Sequence, residues 1–162
     1  MSEAREIPAA QAELMGCLEV FLPRIDAIDP AEGRMAAAVL NEQLPFDGPE
    51  VSRVRELAAQ GLDEGWLTPR AAGDKVKFGR LAKDLGGYAI DAVLMDNAAG
   101  MGHTHTRGEI NMCFAWEGEP KFDGMDPGWV VFEPESHHIP TVTGGTMLFI
   151  YFTPGGAVVW DT

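Results

Sequence analysis

The hydrophobic residues of this chain change their spacing once, near Gly73, and that change restricts what the chain can fold into. Before it they recur every three or four positions, the period of a one-sided helix. After it they form short runs of strand-forming residues cut by Gly, Pro, Asp and Asn. Residues 9–29 place Leu14, Cys17, Leu18, Phe21, Leu22 and Ile25 on one helical face, with Pro23 expected to kink or end the regular part. Asp29 and Pro30 form a cap and first turn for a second helix, whose face is Met35, Val39 and Leu40 and which stops before Pro45. A third helix follows Pro49, with Val51, Val54, Leu57, Ala58 and Leu62 on one side and Gly65 past its end. These stripes predict core packing. The strand-like runs are Val76–Phe78, Ala89–Met95, Ile110–Trp116, Trp129–Phe132 and Met147–Phe152. So many short strands with turn residues between them predict an antiparallel barrel or sandwich. The 162 residues then make one domain, with a helical segment over 1–72 packed on or beside a β-barrel over 73–162.

One stretch of the β half carries unusual chemistry: Gly102-His103-Thr104-His105-Thr106-Arg107-Gly108-Glu109. Histidines two apart point to the same side of a strand. Glu109 keeps that parity if the strand stays extended, and a bend at Gly108 can also turn it inward. Downstream, between Gly128 and Val142, lie His137 and His138, either of which can reach the first cluster across a sheet. Three imidazoles and a carboxylate form a divalent-metal set with room left for water or substrate. Mixed nitrogen and oxygen ligation leaves iron, manganese, zinc and nickel all open.

Other residues bear on the same site. Asn111 and Cys113 share strand parity with Glu109. Asn111 can position water or substrate, and Cys113 reads as a small core residue. Arg80, in a strand between Gly79 and Leu81, and Arg107, beside the histidines, are candidate forks for a carboxylate. Tyr151 and Glu133 are candidates for proton donor and general base.

Composition narrows the partners. A net charge of −13 opposes binding to nucleic acid or an anionic membrane, and makes a helix-turn-helix role for residues 30–65 unattractive. A small anionic substrate is still allowed, since a buried site feels its local arginines most. Cys17 and Cys113 form no Cys-x-x-Cys motif, no apolar run approaches the roughly 20 residues of a membrane span, and the N-terminal residues carry no secretory h-region. The default expectation is a cytoplasmic enzyme; a homo-oligomer is compatible with it.

His103-x-His105-x-x-x-Glu109 followed by Gly128-x5-Pro134-x-Ser136-x-His138 resembles the two metal motifs of the cupin superfamily. That resemblance implies a double-stranded β-helix, or jelly-roll barrel, with the metal inside. The second motif departs in Ser136 and in the position of His138; on a regular strand His137 points the opposite way from His138. A narrower similarity covers nearly the whole chain. Phe78-Gly-Arg80-Leu-Ala-Lys83, Gly108-Glu109-Ile110, Phe122-Asp-Gly124, Gly128-Trp129-Val130-Val131, Ser136-x-His138-x-Pro140-Thr-Val142 and Tyr151-x-x-Pro154-x-Gly156 are similar to the 4-hydroxylaminobenzoate lyase family.

What this implies is a small aromatic carboxylate as substrate, converted to 3,4-dihydroxybenzoate and ammonia in the breakdown of nitroaromatics. The metal would be held by His103, His105, Glu109 and His138. A hydroxylaminoarene plus water equals a catechol plus ammonia, so no nicotinamide or flavin is required. The same ligands also allow a cupin dioxygenase acting on an aromatic or a thiol, or a non-catalytic cupin that binds a small molecule.

Overall fold

A computed structural model describes residues 6–162. Three helices come first: α1 (Ala9–Asp26), α2 (Arg34–Gln43) and α3 (Pro49–Glu64). Nine strands follow: β1 (Arg70–Ala71), β2 (Val76–Leu85), β3 (Tyr88–Asp96), β4 (His103–His105), β5 (Glu109–Phe122), β6 (Gly128–Phe132), β7 (Ser136–His138), β8 (Val142–Pro154) and β9 (Val159–Trp160). Every strand pairing is antiparallel. The strands make a six-stranded sheet in the order β1-β2-β3-β8-β5-β6 and a three-stranded sheet in the order β7-β4-β9. The fold is the cupin-type jelly roll that the motifs implied, mainly β with a helical N-terminal segment. No helix among the described residues is long and apolar enough to cross a membrane.

The helical part follows the sequence reading with two corrections. α1 runs through Pro23 to Asp26 instead of ending there, and buries Leu14, Leu18, Phe21 and Ile25. Asp29 does cap a turn, its Oδ1 accepting from the Ala31 amide at 3.0 Å. That turn is a single 3₁₀ turn (Pro30–Glu32), because Gly33 at φ +48° breaks the path before α2 starts at Arg34. The break rotates the buried face of α2. Ala36 and Leu40 go inside, while Met35 and Val39 are 69% and 39% exposed, although sequence periodicity alone placed both in the core. α3 buries Val51, Val54, Leu57 and Ala58 as expected and ends at Gly65, a left-handed C-cap at φ +84°.

The large sheet is buried on both faces, and strand alternation sorts its residues between two cores. Ile90 and Ala92 of β3, Ile110, Met112 and Phe114 of β5, Trp129 and Val131 of β6, and Leu148, Ile150 and Phe152 of β8 pack in one cluster with the helices. Met95 of β3, with Cys113, Val130, Met147 and Phe149, which alternate with residues of the first cluster, forms a second cluster on the opposite face, inside the barrel. Cys113 is therefore a core residue, and burial raises its thiol pKa well above the usual value.

The edge strand β6 is tied to α2 by side chain instead of by a further strand. Asn41 Oδ1 accepts from the Trp129 amide at 2.9 Å, and the Trp129 indole N–H donates to the Leu44 carbonyl at 2.9 Å. Covering an edge in this way leaves fewer free backbone groups for a foreign strand.

Helices and sheet therefore share one apolar interior. Leu148→Ala, at a fully buried position of that interior, is expected to cost about 2–5 kcal/mol of unfolding free energy. Chemical denaturation monitored by far-ultraviolet circular dichroism should show one transition for the helical and β parts together, displaced to lower denaturant.

Candidate metal centre

Between the two sheets lies a cavity of about 1070 Å³. The small sheet places the histidines on its wall by register alone. In the β4–β7 pairing His103 faces His138, Thr104 faces His137 and His105 faces Ser136. Directly opposed residues share a face, so His103, His105, His138 and Ser136 point inward, while Thr104 and His137 point out. His137 is exposed and pairs with Asp161 at 2.8 Å. The choice left open between adjacent histidines thus has a geometric answer: His138 is in the cluster.

Glu109 comes from the opposite sheet. Between β4 and β5 the chain turns at Gly108, φ +88°, with its amide on the His105 carbonyl at 3.3 Å. A side chain at Gly108 would meet Pro30 Cβ at 2.8 Å and the Phe132 carbonyl at 2.9 Å. The turn is therefore closed to other residues by both conformation and space. It swings Glu109 inward to 3.3 Å from His105 Nε2. The ligand atoms of His103, His105, Glu109 and His138 all lie within 4.8 Å of one another.

Hydrogen bonds decide which ring nitrogen faces the centre. His103 Nδ1 donates to the Met101 carbonyl at 2.9 Å, His105 Nδ1 contacts Ser136 Oγ at 3.1 Å, and His138 Nδ1 donates to Asp123 Oδ2 at 2.6 Å. A carbonyl or carboxylate oxygen can only accept, so His103 and His138 carry their protons on Nδ1 and turn bare Nε2 lone pairs inward. His103 Nε2 lies 2.9 Å from His105 Nε2. His138 Nε2 is buried with no partner among the described residues. Burial lowers the His138 pKa against the opposing pull of Asp123, so its neutral form prevails. A buried lone pair with no donor, converging with three other ligand atoms, is the arrangement a divalent cation satisfies. The residues fit the metal that the motifs implied.

Asp123 was not singled out from sequence as a site residue. It sits at φ +49° in the turn after β5, and its Oδ1 also accepts the Thr141 amide at 2.8 Å. A non-glycine residue held at positive φ between two hydrogen bonds is a feature that only the folded turn reveals. Trp160 was also missed. Its ring lies 4.8 Å from that of His103, across the β4–β9 pairing, and is 52% exposed at the cavity rim.

The remaining candidates separate. Asn111 and Tyr151 are register partners, and both line the cavity, as does Arg80. Asn111 is buried and donates to the Val130 carbonyl at 3.4 Å. Desolvation, then the negative charges of Asp91 and Glu109, raise the Tyr151 pKa, so the phenol keeps its proton through the neutral range. Arg80 is not free: its Nε and one terminal nitrogen meet the two Asp91 oxygens at 2.9 and 3.3 Å.

Two candidates lie away from the cavity lining. Arg107 is exposed and packs against the turn at Gly155, and it is not among the residues that line the cavity. Glu133 is also exposed, beyond the end of β6, with its carboxylate against Gly33 near the start of α2, so it is not placed as a general base.

The hydrogen-bond pattern makes a prediction about divalent-metal affinity, measured by competition with a chelator. His138→Ala should abolish tight binding, while His137→Ala should leave it unchanged. Asp123→Asn should weaken it about 10–100-fold, the usual effect of losing the partner that orients a ligand.

The chain is similar to a described protein family over most of its length. Residues 19–160 match the family model described as PnbB, 4-hydroxylaminobenzoate lyase. A curated 4-hydroxylaminobenzoate lyase from Nocardioides sp. (strain LMS-CY) is 31% identical over 120 residues, covering 67% of this chain and 71% of that protein. One from Pseudomonas putida is 26% identical over 168 residues, covering 92% and 94%. Among solved structures, an RmlC-like cupin from Ralstonia eutropha JMP134 overlaps 59% of this chain and 66% of its own, at TM-score 0.46 and 14% identity. A cupin-like protein from Thermotoga maritima MSB8 overlaps 58% and 84%, at TM-score 0.43 and 14% identity. These overlaps are partial, and the strand order described above is what defines the fold. The family match spans both sheets and all four clustered ligands, and the chain belongs to the 4-hydroxylaminobenzoate lyase family.

Proposed function

We propose that this enzyme is a metal-dependent lyase that converts 4-hydroxylaminobenzoate and water into 3,4-dihydroxybenzoate and ammonia. The observation that carries the reading is the His103, His105, Glu109 and His138 cluster on the wall of an otherwise largely apolar cavity, in a chain whose curated relatives carry that name. A bound divalent ion supplies Lewis acidity and a source of hydroxide near neutral pH. Everything else falls to the cavity's own side chains.

Val93, Phe122 and Phe149 line the cavity and supply apolar surface for the ring. Their burial of the ring also excludes bulk water, so that attack is confined to positions the protein controls. Tyr151 holds a proton on its hydroxyl oxygen. Its raised pKa keeps that proton in place through the neutral range, so the hydroxyl can hydrogen-bond the departing hydroxyl of the hydroxylamino group, which leaves as water on taking a proton that the later addition of water gives back. Water then adds to the ring carbon ortho to nitrogen. Hydrolysis of the resulting imine releases ammonia, and loss of the ring proton gives the catechol. One water is consumed overall and no electrons are gained or lost. Asn111, fixed by its bond to Val130, presents an amide on the same wall to orient the incoming water.

The decisive assay combines metal-reconstituted protein with 4-hydroxylaminobenzoate. Equal amounts of 3,4-dihydroxybenzoate and ammonia should form with no oxygen uptake; stoichiometric oxygen consumption would replace this reading with a dioxygenase. In the same assay Tyr151→Phe should lower kcat by about a hundredfold or more while KM stays close to that of the parent.

A further inference from the structure

The cavity is lined by two arginines, Arg70 and Arg80, and their situations differ. They are diagonal neighbours on one face: in the β1–β2 pairing Arg70 lies opposite Phe78, two residues before Arg80. Arg80 spends its fork on Asp91, whose side chain is 15% exposed against 57% for the arginine. A substrate carboxylate approaching that guanidinium meets the Asp91 charge at the same place. Among the described residues no carboxylate pairs with Arg70. Its fork stays available at the exposed rim, where the cavity wall continues through Phe78 and Val93 to Phe149. Those three residues face one another in register across β2, β3 and β8. They form a continuous apolar strip that starts beside the free cation.

We propose that Arg70, and not Arg80, holds the carboxylate of the aromatic substrate, with the ring laid along the Phe78–Val93–Phe149 strip. The inference rests on the reading of the substrate as an aromatic acid. It assigns the Arg80–Asp91 pair a different part, that of a neutral polar wall. A planar fork reads a carboxylate at two oxygens at once, which a lysine in the same place would not do. The rim position also means that the contact is screened by salt.

Binding can be measured without turnover by titrating 4-aminobenzoate and its uncharged counterpart 4-aminobenzamide into the metal-loaded protein by calorimetry. The parent should prefer the acid, and raising the ionic strength should shrink the preference. Arg70→Gln should reduce the ratio of the two affinities about tenfold, the scale of one lost charge-assisted hydrogen bond at a partly exposed site. Arg70→Lys should retain part of it, and the charge-conserving double variant Arg80→Gln with Asp91→Asn should leave most of it.

A parental ratio in Arg70→Gln, an equal loss for acid and amide, or an effect carried by the Arg80→Gln, Asp91→Asn double variant instead would each overturn the proposal, as would a parent that does not bind 4-aminobenzoate. The two readings fail separately. Arg70-dependent binding of the acid without ammonia release from 4-hydroxylaminobenzoate refutes the reaction and keeps the binding role. Ammonia release with a preference indifferent to Arg70 does the reverse.

Discussion

Three imidazoles can aim at one point only if each gives its other nitrogen to something else. Here those anchors are a backbone carbonyl, a serine hydroxyl and a carboxylate, drawn from three different segments of the chain. They hold the rings in place and, for His103 and His138, they also fix the tautomer. The same anchoring leaves His103 Nε2 2.9 Å from His105 Nε2, and His138 Nε2 a buried acceptor with no donor among the described residues. The barrel is organised so that these costs fall where a cation can offset them.

The anchors depend in turn on strand register. A one-residue slip of β7 against β4 would present His137 to the cavity and move His138 outward, because side chains alternate. The register is held by what lies on either side: Asp123 pins the entry to β8 through the Thr141 amide, and β9 covers the other edge of β4. The large sheet contributes through its own two-sided burial. Each of its central strands has one row committed to the helices and another to the cavity, so neither row can shift without exposing an apolar surface to water.

Much of this was legible in the chain. The change of period near Gly73 falls close to where helices give way to strands, although β1 already begins at Arg70, and the spacing of His103, His105 and Glu109 names three of the four clustered ligands. The bend at Gly108 that brings Glu109 inward was visible as a glycine. What escaped were features set by tertiary contact. The Gly33 break turned Met35 outward. The partnership of Arg80 with Asp91 depends on β2 and β3 aligning at that residue. Asp123 became a site residue only through the closure of a turn against β7. Local spacing says which side chains share a face; it does not say which of them meet a partner from elsewhere.

The fit of Gly108 against Pro30 has a consequence for how this chain can be divided. Pro30 belongs to the turn between the first two helices, yet it is packed against the hinge that delivers Glu109. Asn41 and Leu44 are joined in the same way to the strand that pairs with Glu109. The helical segment is thus the outer half of the mould in which the ligand geometry is cast. A shortened chain beginning at the barrel would keep every ligand and still lack the surface that tells the fourth one where to stand.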